Sequence, residues 1–151
     1  MIAILVHHAD AVTPAVDTRR PLSSAGHAEA EDIALQAKAL GAAPAEIWHS
    51  GKLRARQTGE AFLRACSPFA AFRMMRGLAP DDDPALMRAA LDAEACDVMV
   101  VGHMPNIARL AAGLAGTDVE FPLHGAVCFE RATSGAWMER WRVMPGGAPG
   151  Q

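Results

Sequence analysis

The sequence lacks the features of a membrane or nucleic-acid-binding protein. No apolar run approaches the roughly 20 residues that a membrane-spanning helix needs, and the 14 Lys and Arg against 17 Asp and Glu give a net charge of -3. That balance argues against a surface for nucleic acid. The first residues show no basic leader with a small-residue cleavage site, so we expect no signal peptide. We therefore expect neither a membrane nor a nucleic acid as partner.

Cysteine is scarce and odd in number. The three residues Cys66, Cys96 and Cys128 are widely spaced and flanked by apolar or small residues. This pattern predicts reduced thiols that fill the core, and a cytoplasmic location, because a disulfide framework uses paired cysteines.

The 151 residues suit one domain. We place it at 1–144, followed by a flexible Gly/Pro-rich tail at 145–151. Apolar runs and turn signals predict strands alternating with helices, with the last two strands antiparallel. This order predicts a three-layer α/β/α sandwich whose mostly parallel sheet has an antiparallel edge. The predicted strands are 2–6, 46–50, 69–75, 97–101, 127–131 and 137–143, and the predicted helices are 23–40, 54–66, 81–95 and 106–114.

Polar residues follow three of the predicted parallel strands. His7 and His8 follow the first, Ser50 ends the second, and His103 comes just after the fourth. Ligands of open α/β sheets bind at this edge, where a neutral imidazole can attack phosphorus. Arg54 opens the helix after the second strand, where its planar fork and the helix amides can hold phosphate oxygens. The pattern predicts a phosphoryl-transfer site.

Four motifs in order carry a family resemblance. The motifs are Leu5-Val6-His7-His8-Ala9, Arg20-Pro21-Leu22-Ser23, Leu53-Arg54-Ala55-Arg56-Gln57-Thr58 and Gly102-His103-Met104-Pro105. With them the chain resembles the histidine phosphatase superfamily, with its phosphoglycerate mutase-like fold, and within it the short phosphohistidine phosphatases of the SixA type.

The resemblance implies a reaction and a role for each matching residue. His8 matches the nucleophile, Arg54 the phosphate clamp and His103 the second histidine of the pocket, while Arg20 matches an arginine near its mouth. The implied activity is hydrolysis of phosphohistidine or a small phosphomonoester through phospho-His8. The implied partner is a phosphohistidine protein or a phosphorylated small molecule. No metal and no organic cofactor is implied.

Two pocket positions depart from the family motifs. His7 stands where the family carries arginine, and His124 stands where relatives often carry threonine before glycine. Arginine is permanently charged and forked, whereas histidine offers at most two divergent donors. By analogy with oxyanion-hole deletions, losing such a donor costs about 10²–10³ in rate. The residues expected to bind substrate are His7, Arg20, Ser50 and His124.

The proton donor of the family has no counterpart here. Relatives place a glutamate after the third strand, but 75–80 contains no carboxylate, and Asp81–Asp83 beyond it are expected to cap a helix. A phosphohistidine has a labile N–P bond and needs such an acid less. The sequence therefore favours phosphohistidine or another activated phosphate.

Two alternatives without catalysis stay open. His49 and His124, with the three strand-end histidines, can ring one pocket, and neutral imidazoles bind zinc, copper and nickel. A degenerate member of the family would then hold a divalent metal. Alternatively, an adaptor would use Arg54 and His103 to bind a phosphorylated partner without turnover. Local packing of His49 and His124 is the simpler interpretation.

Overall fold

The computed structural model describes residues 1–148. The last three residues of the expected tail, 149–151, lie outside the described residues. The strands are β1 (Ile2–His7), β2 (Glu46–His49), β3 (Ala71–Met74), β4 (Val98–Gly102), β5 (Ala126–Arg131) and β6 (Trp137–Val143), and the helices are α1 (Ser24–Ala39), α2 (Leu53–Cys66), α3 (Pro84–Ala93) and α4 (Asn106–Ala115).

The six strands form one sheet in the order β3-β2-β4-β1-β5-β6. The first four strands run parallel, while β5 pairs antiparallel with β1 and β6 antiparallel with β5. Helices α1 and α2 pack on one face and α3 and α4 on the other. The predicted α/β/α sandwich with an antiparallel edge is therefore confirmed.

Strand β1 lies inside the sheet and is buried on both faces. Ala3 and Leu5 face the core beneath α3 and α4, whereas Ile4 and Val6 face the core beneath α1 and α2. A strand covered on both sides reads as a continuous apolar run, which is why its sequence shows no alternation. Its carboxyl end delivers His7 and His8 to the edge between two layers of helices.

Two helix starts follow their capping chemistry. The Ser23 hydroxyl accepts the Gly26 N–H at 2.9 Å at the start of α1. The Asp83 carboxylate accepts the Ala85 N–H at 2.9 Å, and Pro84 opens α3. The predicted Asp81–Asp83 cap is thus confirmed at Asp83, because a carboxylate satisfies a free amide of the first turn.

The third strand is shorter than predicted. It covers Ala71–Met74, because 67–70 form a turn after α2 in which the Ala70 N–H donates to the Ser67 carbonyl at 3.0 Å. Phe69 lies in this turn and is fully exposed. Its aromatic side chain favoured a strand on sequence alone.

The three cysteines are free thiols. Burial raises the pKa of Cys66 to about 11 and that of Cys128 to about 12. A thiol with so high a pKa is a poor nucleophile at neutral pH. None of the helices among residues 1–148 is both long and apolar enough to cross a membrane.

Residues 144–147 contact α1. The Gln36 side-chain amide donates to the Met144 carbonyl at 3.0 Å, and the Gly146 N–H donates to the Asp32 carboxylate at 2.7 Å. The domain boundary at 144 and the flexibility of the tail stay predictions.

A close contact between α1 and the segment after His8 gives a stability prediction. A Cβ on Gly26 would lie 1.9 Å from the Asp10 carbonyl oxygen. Gly26→Ala must displace that segment, and we expect a loss of about 1–3 kcal/mol in the free energy of unfolding, measured by urea denaturation. The control is Gly113→Ala in α4, where the new Cβ would meet nothing within 4 Å. There we expect a gain of about 0.5–1 kcal/mol, and equal effects at the two sites would contradict the packing argument.

Candidate active site

The ends of β1 and β4 bring three of the predicted site histidines together. His7 pairs with Gly102 across the two parallel strands, and the His8 N–H donates to the Gly102 carbonyl at 3.1 Å. The His8 ring centroid lies 4.6 Å from that of His7 and 4.9 Å from that of His103. The expected meeting of strand ends at one edge of the sheet thus occurs.

The proton of the neutral His8 ring has a fixed position. Nδ1 lies 2.7 Å from the Ala9 carbonyl oxygen, which only accepts, so Nδ1 carries the hydrogen. Nε2 is then the nitrogen with the lone pair. Burial and the nearby charge of Arg54 lower the pKa of His8 to about 4. At neutral pH the ring is therefore neutral, with its lone pair on Nε2.

Arg54 lies in the first turn of α2, which is tied to the segment after His8. Thr58, fully buried, donates its hydroxyl hydrogen to the Arg54 carbonyl at 2.8 Å. The Thr58 hydroxyl oxygen in turn accepts the Ala9 N–H at 3.0 Å. One threonine therefore sets the distance between the helix that carries the arginine and the strand that carries the imidazole.

Arg20 approaches from the loop before α1. Its Nε donates to the Val12 carbonyl at 3.1 Å, and the Gln57 side chain accepts the Leu22 N–H at 2.8 Å, which ties this loop to α2. After the effect of burial, the charge of Arg20 is the second cause that lowers the pKa of Arg54. The two guanidinium groups together make this edge of the sheet electropositive.

His103 is buried and holds Ser50. The Ser50 hydroxyl lies 2.6 Å from His103 Nε2, so Ser50 is placed at the site but its contact is with an imidazole. Burial, with the neighbouring His8 next, lowers the pKa of His103 to about 3.

Two buried polar atoms of this cluster lack protein partners. Among the described residues, His103 Nδ1 and Arg54 Nε are buried without a hydrogen-bond partner. Unpaired buried polar groups cost free energy unless something satisfies them. Arg54 Nε can only donate, so an acceptor such as a phosphoryl oxygen is complementary to it.

His124 lies beside His7, and their rings stack with centroids 4.9 Å apart and planes at 12°. The His124 backbone N–H donates to His7 Nδ1 at 2.9 Å, so the hydrogen of the neutral His7 ring is on Nε2. Burial is the first cause that lowers the pKa of His7 to about 3, and neighbouring histidines add to it. His7 is therefore a neutral donor.

The same contacts decide how well a metal fits. One ring nitrogen each from His7, His8 and His124 lies within 4.8 Å of the others. Metal ligation needs a lone pair, but His7 Nδ1 already accepts a hydrogen bond and Nε2 carries the hydrogen. A three-histidine site would require His7 to change tautomer and give up its bond to the His124 N–H, so the donor set does not favour a metal.

The remaining sequence candidates lie away from this cluster. His49 packs on Phe72 with centroids 4.7 Å apart, and its Nδ1 accepts the Gly51 N–H at 3.1 Å. Local packing is thus the outcome for His49. The Asp82 carboxylate accepts the Ala79 N–H at 2.8 Å and so closes the turn before α3.

Sequence reasoning misses Asp10 and Glu29. The Glu29 carboxylate accepts the Asp10 N–H at 3.1 Å, and the Asp10 carboxylate accepts the Ser23 hydroxyl at 2.6 Å. These bonds fix the segment that directly follows Ala9. The only signal for them is the position of Asp10 at the end of the first motif.

Comparison with known proteins places the geometry in context. No family model and no curated protein matches the chain. Among solved structures, the protein histidine phosphatase SixA in complex with tungstate is 26% identical, with a TM-score of 0.85 over 96% of this chain and 97% of that one. A candidate phosphohistidine phosphatase SixA from Agrobacterium tumefaciens is 26% identical, with a TM-score of 0.79 over 96% and 98%.

A phosphoglycerate mutase from Plasmodium falciparum has the same fold at 13% identity, with a TM-score of 0.71 over 97% of this chain and 95% of that chain. The structural neighbours are thus SixA-type and phosphoglycerate mutase-like histidine phosphatases, and the resemblance expected from the motifs is confirmed. These neighbours support phosphatase activity.

The buried imidazoles predict an acid-sensitive fold. The pKa of His8 falls from 6.5 to about 4 on folding, so the unfolded chain takes up a proton first as the pH falls. Stability is then complete above pH 6.5 and is lost towards pH 4, at about 1.4 kcal/mol per pH unit for each such histidine. We expect His8→Asn to remove one such contribution from the slope measured by urea unfolding between pH 4.5 and 6.5.

His27→Asn, at an exposed position of α1, is the control for removal of a histidine. An identical slope in wild type and His8→Asn would show that His8 is not held neutral by burial.

Proposed function

We propose that this protein is a phosphatase that hydrolyses phosphohistidine through a phospho-His8 intermediate. The observation that carries the proposal is the fixed tautomer of His8. Its Nδ1–H is bound to the Ala9 carbonyl, which leaves the Nε2 lone pair free beside Arg54 and His103. A neutral, buried and oriented imidazole is the form that attacks phosphorus.

In the first step, His8 Nε2 forms a bond to phosphorus and the bond to the leaving group breaks. Arg54 neutralises charge on the phosphoryl oxygens, and its first-turn position adds helix amides to the same oxygens. His103 donates a hydrogen bond to the phosphoryl group from Nδ1, with the Ser50 hydroxyl donating to its Nε2. His7 donates to the same group from Nε2. The Nδ1–H bond to Ala9 strengthens as His8 becomes positively charged.

In the second step, water attacks the phosphorus of phospho-His8 and the N–P bond breaks. His8 returns to its starting tautomer because Ala9 holds the Nδ1 hydrogen throughout. Inorganic phosphate leaves the Arg54 clamp. The cycle needs positioning and positive charge, which are the main demands of phosphoryl transfer.

Phosphohistidine is the substrate that the pocket suits best. Residues 75–80 contain no carboxylate, the Asp82 carboxylate closes the turn before α3, and the Asp83 carboxylate caps α3. A leaving group on an already labile N–P bond makes the smallest demand on an acid. Similarity to a SixA protein histidine phosphatase supports the same choice. We propose a phosphohistidine protein or a small phosphorylated molecule as partner, and the cytoplasm, which suits the three free thiols.

The experiment is hydrolysis of a phosphohistidine peptide and of phosphoserine by wild type, His8→Ala and Arg54→Lys. We expect faster release of phosphate from phosphohistidine, loss of turnover in His8→Ala, and a decrease of about 10²–10³ in Arg54→Lys, because lysine lacks the fork. A quench with base during turnover should trap a phosphoenzyme that is stable to base and is lost on later treatment with acid. His27→Ala is the matched control, and turnover that survives in His8→Ala would overturn the mechanism.

A second function is binding of a phosphorylated partner without turnover, favoured by the neutral state of His7. We expect His7→Arg to raise kcat/KM by about tenfold or more if the neutral donor limits the rate, because a permanent charge then faces the phosphoryl oxygens. His7→Lys, which has charge without the fork, should gain less. If wild type binds phosphate tightly in calorimetry, and neither wild type nor His7→Arg shows turnover, the binding function would be supported instead.

A further inference from the structure

We infer that His124 is the general acid–base residue of this site, giving a proton to the leaving group and later taking one from water. The inference rests on the proposed phosphoryl transfer to His8. It assigns the proton donor for which neither the sequence nor the loop after β3 supplies a carboxylate.

The position of His124 is fixed by the backbone. The residue has φ of 55°, in the left-handed region that most residues other than glycine avoid and in which histidine, asparagine and aspartate are enriched. Gly125, next to it, is packed so closely that a Cβ there would lie 2.3 Å from the Val143 carbonyl oxygen. The loop therefore holds His124 in a turn that has little room to move.

Hydrogen bonds fix the ring of His124 as well. Nδ1 lies 2.8 Å from the His8 carbonyl oxygen, so Nδ1 carries a hydrogen and donates it. Nε2 is the nitrogen left to exchange a proton, and within residues 1–148 it has no hydrogen-bond partner. The ring is thus oriented by one nitrogen while the other is free for chemistry.

The ring of His124 lies close enough to His8 to contact a group on the reacting phosphorus. The ring centroids of His8 and His124 are 6.1 Å apart. A reacting phosphorus sits about 3–3.5 Å from the attacking nitrogen, so an atom bonded to that phosphorus can contact the His124 ring. His124 also lines an open cleft of about 630 Å³ with Glu29, Phe121 and Leu123, so its ring can exchange protons with water.

The other groups of the pocket are already occupied. His7 and His103 are buried, and the pKa of each is lowered to about 3, so both stay neutral and do not supply a proton. Glu29 accepts the Asp10 N–H. Half-exposed His124 is the remaining imidazole of the cluster, and imidazole is the most frequent general acid–base group.

The proton balance of the cycle closes through His124. In the first step, His8 Nε2 bonds to phosphorus, the bond to the leaving atom breaks, and His124 Nε2–H protonates that atom. In the second step, water attacks phosphorus, the N–P bond to His8 breaks, and the water proton goes to His124 Nε2. His124 Nε2 then carries its proton again, and no other reactant is needed.

The variant His124→Asn isolates the role of Nε2. Asparagine tolerates the left-handed backbone, and its side-chain amide can donate to the His8 carbonyl as Nδ1 does. The variant lacks only the second ring nitrogen and the stacked ring. The test compares kcat/KM for an alkyl phosphate with kcat/KM for p-nitrophenyl phosphate. This parameter reports the first step, and the aryl leaving group needs no proton.

We expect His124→Asn to lower kcat/KM for the alkyl phosphate by about 10²–10⁴-fold. The decrease for p-nitrophenyl phosphate should be smaller by a factor of at least ten. Equal losses on the two substrates, or a wild type that hydrolyses the phosphohistidine peptide but not the alkyl phosphate, would overturn the role of His124 as an acid. Absence of turnover by wild type on both these substrates and the phosphohistidine peptide would overturn the proposed function itself, so the two failures are distinguishable.

His124→Gly is a second test variant, because glycine adopts the left-handed backbone at this position without cost. Removal of the ring opens its site to the cleft, so added imidazole should restore alkyl phosphate hydrolysis in proportion to its concentration. In His8→Ala the His124 ring still fills that site, so added imidazole should not restore alkyl phosphate hydrolysis by entering it. Failure of imidazole to raise the rate of a folded His124→Gly protein would contradict the assignment.

Discussion

The hydrogen bond from His8 Nδ1 to the Ala9 carbonyl is the interaction on which the site depends. It fixes the tautomer of the ring, and with it the atom that faces the pocket. Its geometry is set by the residues around Ala9, whose N–H is held by Thr58 and whose successor Asp10 is held by Glu29. The orientation of one imidazole is therefore determined by helices α1 and α2.

The price of this arrangement is the burial of polar rings. His7, His8 and His103 are each less than a tenth exposed and would be costly to bury as cations. The fold keeps them neutral and places the permanent charge on Arg54 and Arg20, whose guanidinium groups reach the pocket from separate elements. Neutral nitrogen atoms and fixed positive charge are thus kept on different residues, as transfer of an anionic group between neutral nucleophiles requires.

The sequence predicts the fold and the members of the site better than it predicts their contacts. The strand ends were predictable, because a buried strand followed by a polar residue leaves few other readings. The short β3 was not, because Phe69 has strand propensity but lies in a turn. Ser50 was expected to bind substrate, yet its hydroxyl contacts His103. Which ring nitrogen carries a hydrogen depends on carbonyl and amide partners distant in sequence, and no local pattern encodes that.

The left-handed backbone at His124 has a consequence for how this pocket could have diverged. A β-branched residue such as threonine is poorly accommodated at φ of 55°, so exchange of this side chain alone carries a conformational penalty. Because the same residue's N–H holds His7, a change at either position alters the environment of the other. Substitutions at His7 and His124 are therefore expected to be epistatic, so that the effect of one depends on the residue at the other position.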